Sequence, residues 1–263
     1  MLAGAQSRRP TFDAASIKPS VSPAANQSIG PAGDRLVASG TSLRILVQYA
    51  YRWDGGRPFL NSQIVGVPDW GLNDRFDVQA KAADGRVVTQ GELEAMTQAM
   101  LEDRFQLKTH RDMRVLPVYS LVVAKGGAKL KRSADQTPPS DDERPRVFDP
   151  SAAPRGRFRT IARPSPSGGI TIALTGTAIA IPRLLNILQQ YLDRPLIDAS
   201  GVDGLHDVAL EFGLAQSQPA STDEATGASL FTAIEEQLGL KIEAQKKSIE
   251  VLVVDHAEHP TPD

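Results

Sequence analysis

LEDRFQLKTHRDMRVLPVYSLVVA, residues 101–124, reads as the end of a helix, a strand over Phe105–His110, a turn, and a second strand over Val118–Ala124. Pro117 has no N–H to give a ladder, so it is expected at the start of that strand or on an edge. IEEQLGLKIEAQKKSIEVLVVD, residues 234–255, repeats the layout with strands at Leu240–Gln245 and Ile249–Asp255. Two shorter alignments strengthen the parallel. RFDV (75–78) matches LHDV (205–208), and MTQAMLEDRFQLK (96–108) matches SLFTAIEEQLGLK (229–241). Each half then reads strand–helix–strand–helix–strand–strand. The expected fold is α+β, two tandem copies of one unit, with small mainly antiparallel sheets carrying helices on one face.

The helices are placed by period and caps. Leu43, Leu46, Val47, Ala50 and Tyr51 follow a 3.6-residue period behind Thr41 or Ser42 as N-cap. Thr89 and Glu92 have capping-box spacing before Leu93, Met96, Met100 and Leu101. In the second half Ile181, Leu184, Leu185 and Leu188 form a stripe with Pro182 in the first turn, and Ser229 precedes Leu230, Ile234 and Leu238, with Gly239 as the stop. Lys18–Asp34 reads as an irregular loop, Arg75–Ala80 and His206–Phe212 as alternating strands. Residues 132–168 hold seven prolines, the run Asp141-Asp142-Glu143-Arg144 and RGRFRTIAR (155–163), the composition of a linker or long, partly extended surface loop. The expected organisation is a first repeat over 1–131, this linker over 132–168, and a second repeat over 169–263.

The 263 residues suffice for a core without staples. The absence of cysteine excludes disulfides, thiolate nucleophiles and cysteine-based metal sites, and a net charge of −2 gives no general attraction to nucleic acid. No apolar run approaches the roughly 20 residues of a membrane span. Ala3-Gly4-Ala5 suits the small-residue end of a signal peptide, so the expectation is an exported protein, periplasmic or extracellular, with its signal removed.

Common catalytic motifs are missing. There is no GxSxG elbow, P-loop, GxGxxG or HExxH. Four histidines remain, at 110, 206, 256 and 259. His206 with Asp207, and Asp255 with His256, are candidate catalytic pairs, because a carboxylate beside an imidazole orients and charge-stabilises it as a base. Asp203 and Asp207 are candidate metal ligands. No cofactor is evident, and a divalent cation such as calcium is the one that loop carboxylates would suit. Tyr51, Trp53 and Trp70 gather near loops and are candidate ligand-binding residues. His110-Arg111-Asp112 is assigned to a turn, and His259 to a solvated tail.

FDAASIKPS (12–20), MTQAMLEDRFQLKTHRDMRVLPVYSLVVAKGGAKLK (96–131) and SLFTAIEEQLGLKIEAQKKSIEVLVVDHAEHPT (229–261) resemble the soil-associated proteins of unknown function abundant in acidobacteria. The resemblance covers nearly the whole chain outside its two long loops. It implies an exported protein, present in many copies per genome, with no assigned activity. It also implies an aromatic residue where this chain has His206. On GTSLRILVQYAY (40–51) and AIEEQLGLKIE (233–243), each half is more distantly similar to the secretin and TonB short N-terminal domain, a periplasmic interaction module. The expected function is therefore an exported binding module whose partner is a small molecule or a cell-envelope protein. The alternative is a hydrolase of small esters or lactones, metal-assisted or not, with a His/Asp base.

Overall fold

The structure is a computed structural model, and it describes residues 9–21, 27–53, 56–83, 88–139, 155–165, 169–214 and 229–260. Ala3-Gly4-Ala5 and the acidic run 141–144 lie outside these residues. The chain divides into two units, Met1–Val115 with Ser248–Asp263, and Leu116–Lys247. The fold is α+β.

In the first unit, β1 (Phe12–Pro19), β2 (Ser28–Ala32), β3 (Arg35–Thr41) and β7 (Phe76–Ala82) form an antiparallel sheet in the order β1-β7-β3-β2. Strand β2 falls within the stretch expected to be loop; its edge place lets Pro31 enter without losing an inner ladder bond. Between β3 and β7 come α1 (Leu43–Ala50), the ribbon β4 (Arg52–Trp53) and β5 (Arg57–Pro58), the short β6 (Ile64–Val65) and α2 (Asp69–Asn73). Helix α3 (Gln90–Arg104) follows β7. Its capping box is formed as expected: the Glu92 amide donates to Thr89 Oγ1 at 3.3 Å, and the Thr89 amide donates to Glu92 Oε2 at 2.9 Å. At α1, Ser42 takes the N-cap position, but neither its hydroxyl nor that of Thr41 has a partner among the described residues. Leu43, Leu46 and Val47 of α1 and Leu93, Met96 and Leu101 of α3 are buried. Their two apolar stripes make this unit's core.

Strand β8 (Lys108–Val123) corrects the expected hairpin. His110-Arg111-Asp112 is not a turn; the strand is continuous for 16 residues. The stretch has no glycine or asparagine to supply positive φ, and it carries β-branched Val115 toward Pro117. Its neighbour is supplied by the far end of the chain.

In the second unit, β9 (Lys131–Arg132), β10 (Phe158–Pro164), β11 (Ile170–Ala180) and β13 (Leu205–Leu214) form an antiparallel sheet in the order β10-β11-β13-β9. The Arg-rich RFRTIAR is thus largely strand. Helix α4 (Ile181–Leu188) has Pro182 in its first turn, and β12 (Leu196–Asp198) runs parallel to β8. Pro117 costs nothing inside β8. The Tyr119 amide is the first to meet this side, at Pro195 O (2.8 Å), and position 117 faces the same side one step before β12 begins. Helix α5 (Leu230–Ala233), with Ser229 as its capping hydroxyl, continues as a π-helical turn, Ile234–Leu238. Gly239 ends it at φ +63°. The last strand, β14 (Leu240–His256), is also unbroken, over 17 residues. In the first unit β14 runs parallel to β6. Leu174, Ile179, Leu184, Leu188, Val208 and Leu210 anchor the second unit's core.

Candidate functional site

Asp207 is a support for the backbone. It accepts the Ser133 hydroxyl at 2.5 Å and faces the Ala178 amide at 3.4 Å. Ala178 has φ +54° and lies in the bulge where β11 shifts register against β13. The Ser133 bond, then that amide, hold the carboxyl pKa below its ordinary range. Asp77, the aligned residue of the first unit, does the same for Gly40. It accepts that amide at 2.8 Å, where φ is +57°, and the Ser39 hydroxyl at 3.2 Å. His206 is buried, and among the described residues its Nδ1 has no hydrogen-bond partner. Burial, reinforced by Arg132, lowers its pKa, against the opposing pull of Asp207.

Asp255 does not take His256 as its partner. It accepts from His110 Nδ1 at 2.8 Å, and His256 Nε2 contacts Glu258 at 3.0 Å; all four side chains are solvent-accessible. Asp203 is exposed, and nearby Asp198 accepts from the amide of Ser200 at 2.9 Å in an ordinary Asx turn. Among the described residues no group of three His, Asp or Glu side chains is gathered in a way that could hold a metal ion, so Asp203 and Asp207 belong to no such set.

The aromatic candidates separate. Trp53 is buried, with the Arg57 guanidinium 4.2 Å above its ring. Tyr51 is half-buried, and burial raises its phenol pKa. Trp70, also half-buried, stands beside a cleft. Helix α2 presents it, seated by Gly71, where an added Cβ would lie 2.9 Å from Val67 Cγ1 and 3.2 Å from Leu43 Cδ2. The Glu258 amide donates to Phe105 O at 2.7 Å and brings the tail to this point. The His259 imidazole stacks on Trp70 with centroids 4.0 Å apart, and its Nε2 contacts Asp74 Oδ2 at 2.8 Å. Phe105 lies parallel to Trp70 at 6.4 Å and edge-on to Phe76 at 5.5 Å.

The cleft has a volume of about 510 Å³. Ile17, Pro19, Phe76 and Pro260 supply apolar wall, and Asp74, Arg75 and His259 supply polar groups. Ser20 also lines it, but its hydroxyl is engaged by Asp77 and its amide by Arg75 O (2.8 Å), so it is no free nucleophile. The volume lies within the range of clefts that hold small molecules. The sequence reading picked out Trp70 but passed over Arg75 and assigned His259 to solvent. The signal available was the pairing of an aromatic with a late histidine, and only the tail's return along Phe105 reveals it.

The comparison with protein families matches residues 44–257 to the family described as "Protein of unknown function (DUF3738)", and the chain belongs to that family. Asp74, Arg75 and Phe76 lie inside the matched segment, whereas Ile17, Pro19, His259 and Pro260 lie outside it. Neither the curated proteins nor the solved structures give a match.

Proposed function

We propose that this member of the DUF3738 family is an exported binding module and that its ligand, a small molecule, occupies the cleft beside Trp70. One observation carries the reading: a cleft of about 510 Å³, walled by three distant segments of the chain (17–20, 74–76 and 259–260), brings together the guanidinium of Arg75 and an Asp74–His259 pair whose imidazole stacks on Trp70. Export is supported by Ala3-Gly4-Ala5 and by the likeness to exported soil-bacterial proteins. The two units are read as copies of one ancestral unit. The matching strand orders β1-β7-β3-β2 and β9-β13-β11-β10 favour this, as does the same Asp-held bulge at Gly40 and Ala178.

A small-molecule screen observed by NMR tests the reading. Ligands are expected to shift the Trp70 indole and His259 imidazole signals and to leave Trp53 unmoved. Hits that spare Trp70 and His259 would reject the cleft.

The hydrolase reading has one observation in its favour, the His110–Asp255 contact, in which a carboxylate orients an imidazole. No set of three metal-ligating side chains accompanies it among the described residues. A panel of small esters and lactones, with and without chelator, is expected to show no turnover. Turnover abolished by His110→Ala would replace the binding reading.

A further inference from the structure

We infer that the cleft beside Trp70 selects an aromatic monocarboxylate, with Arg75 reading the carboxylate. The inference rests on the cleft being the ligand site. Arg75 is half-buried and lines the cleft, yet among the described residues its guanidinium has no hydrogen-bond or ion-pair partner. Two other arginines of the same unit are ion-paired, Arg52 with Glu94 at 2.6 Å and Arg111 with Glu250 at 2.5 Å. The one acid lining the cleft, Asp74, is turned to His259 at 2.8 Å. A guanidinium left open beside apolar wall presents a planar fork, and a carboxylate meets that fork with two parallel N–H···O bonds.

The rest of the lining fixes the ligand's body. Pro19 and Pro260 line it with rigid rings, and Phe76 and the imidazole of His259 add aromatic surface. These favour a rigid one- or two-ring body over a flexible chain, which would lose more rotational freedom on binding. The Arg75 backbone is tied independently, its carbonyl accepting the Ser20 amide at 2.8 Å, so the side chain can change without loosening the wall.

The test uses 2-naphthoate and its neutral counterpart 2-naphthamide, titrated into the full chain by fluorescence and NMR. Naphthoate is expected to bind at least tenfold tighter than naphthamide, shifting Trp70 and His259. In Arg75→Met, with an unchanged melting temperature, the preference should fall to within twofold while naphthamide affinity is kept. Equal binding of both compounds by the unaltered chain, with Trp70 shifted, would overturn the carboxylate inference and leave the cleft standing. Naphthoate binding untouched by Arg75→Met would place the anion elsewhere and overturn it too. No binding of either compound would overturn it together with the reading of the cleft on which it rests.

Discussion

Asp207 and Ala178 are joined side chain to backbone: Oδ1 lies 3.4 Å from an amide nitrogen whose residue has φ +54°. An L-residue rarely adopts that conformation, and the carboxylate and the Ser133 hydroxyl compensate by satisfying its amide. Asp207→Ala is therefore expected to cost about 2 kcal/mol, the scale of a hydrogen bond to a charged group. The folded-state pKa is lowered, so this contribution is complete above the ordinary value of 3.8 and is lost as pH falls through the lower folded value. Urea midpoints from pH 6 down to pH 3 should fall more in the unaltered chain than in Asp207→Asn, which keeps only the acid loss of the other lowered carboxylates such as Asp77. Equal acid sensitivity in both would refute the structural role.

His206 invites the opposite substitution. Its Nδ1 is buried and has no partner among the described residues, and an unsatisfied buried polar atom costs roughly 1–3 kcal/mol. The aligned residue of the first unit is Phe76, an apolar side chain in the same strand position. His206→Leu, close in volume, should gain about 1 kcal/mol at pH 7. The pH dependence has a definite sign. A histidine whose folded pKa is lowered stays neutral in the fold while the unfolded chain takes up a proton, so stability falls as pH drops below 6.5 toward the folded value. The leucine variant should be flat through that window. A variant less stable at pH 7, or one with the same slope, would count against the account.

How far the sequence reached can be judged from these residues. Period and capping chemistry are local, so α1, α3, the Thr89–Glu92 box and the Gly239 stop were all legible. The unbroken strands β8 and β14 were not, because a turn at His110-Arg111-Asp112 is a local guess. Continuity there depends on a partner more than a hundred residues away, as His110 and Asp255 show. The RFDV–LHDV alignment was visible, but it marked a shared bulge support where chemistry had been sought. The cleft was the least legible part. Its walls come from Pro19, Arg75 and Pro260, and no spacing rule links them.

His259 holds the tail against Trp70 by a stack and by a 2.8 Å hydrogen bond to Asp74, and both His259 and Asp74 are solvent-accessible. His259→Ala should cost only about 1 kcal/mol, the scale of an aromatic pair. It should also change the Trp70 indole environment, seen as a shift in tryptophan emission that Trp70→Phe removes. Unaltered emission would mean that the stack is not populated in solution.

Gln106 and Gly239 hold aligned places just past the last turns of α3 and of the π-helical turn, both with left-handed backbone, φ 48° and φ 63°. They should respond in opposite directions. Gln106 is exposed, and a side chain in this conformation costs roughly 1–2 kcal/mol. Gln106→Gly should therefore gain about 1 kcal/mol, part of the relief being offset by the freer unfolded chain. At Gly239 an added Cβ would come within 2.2 Å of Gly127 O and 2.6 Å of Lys129 N, both backbone atoms that cannot swing aside. The same backbone is bonded around it, with Ala124 N to Gly239 O at 3.0 Å and Lys129 N to Leu238 O at 2.8 Å. Gly239→Ala combines left-handed strain with a backbone clash and is expected to cost about 4 kcal/mol, enough to deplete the folded chain. Paired urea titrations of the two variants decide the matter: a loss at position 106 or a tolerated alanine at 239 would show that these helix ends are not built as described.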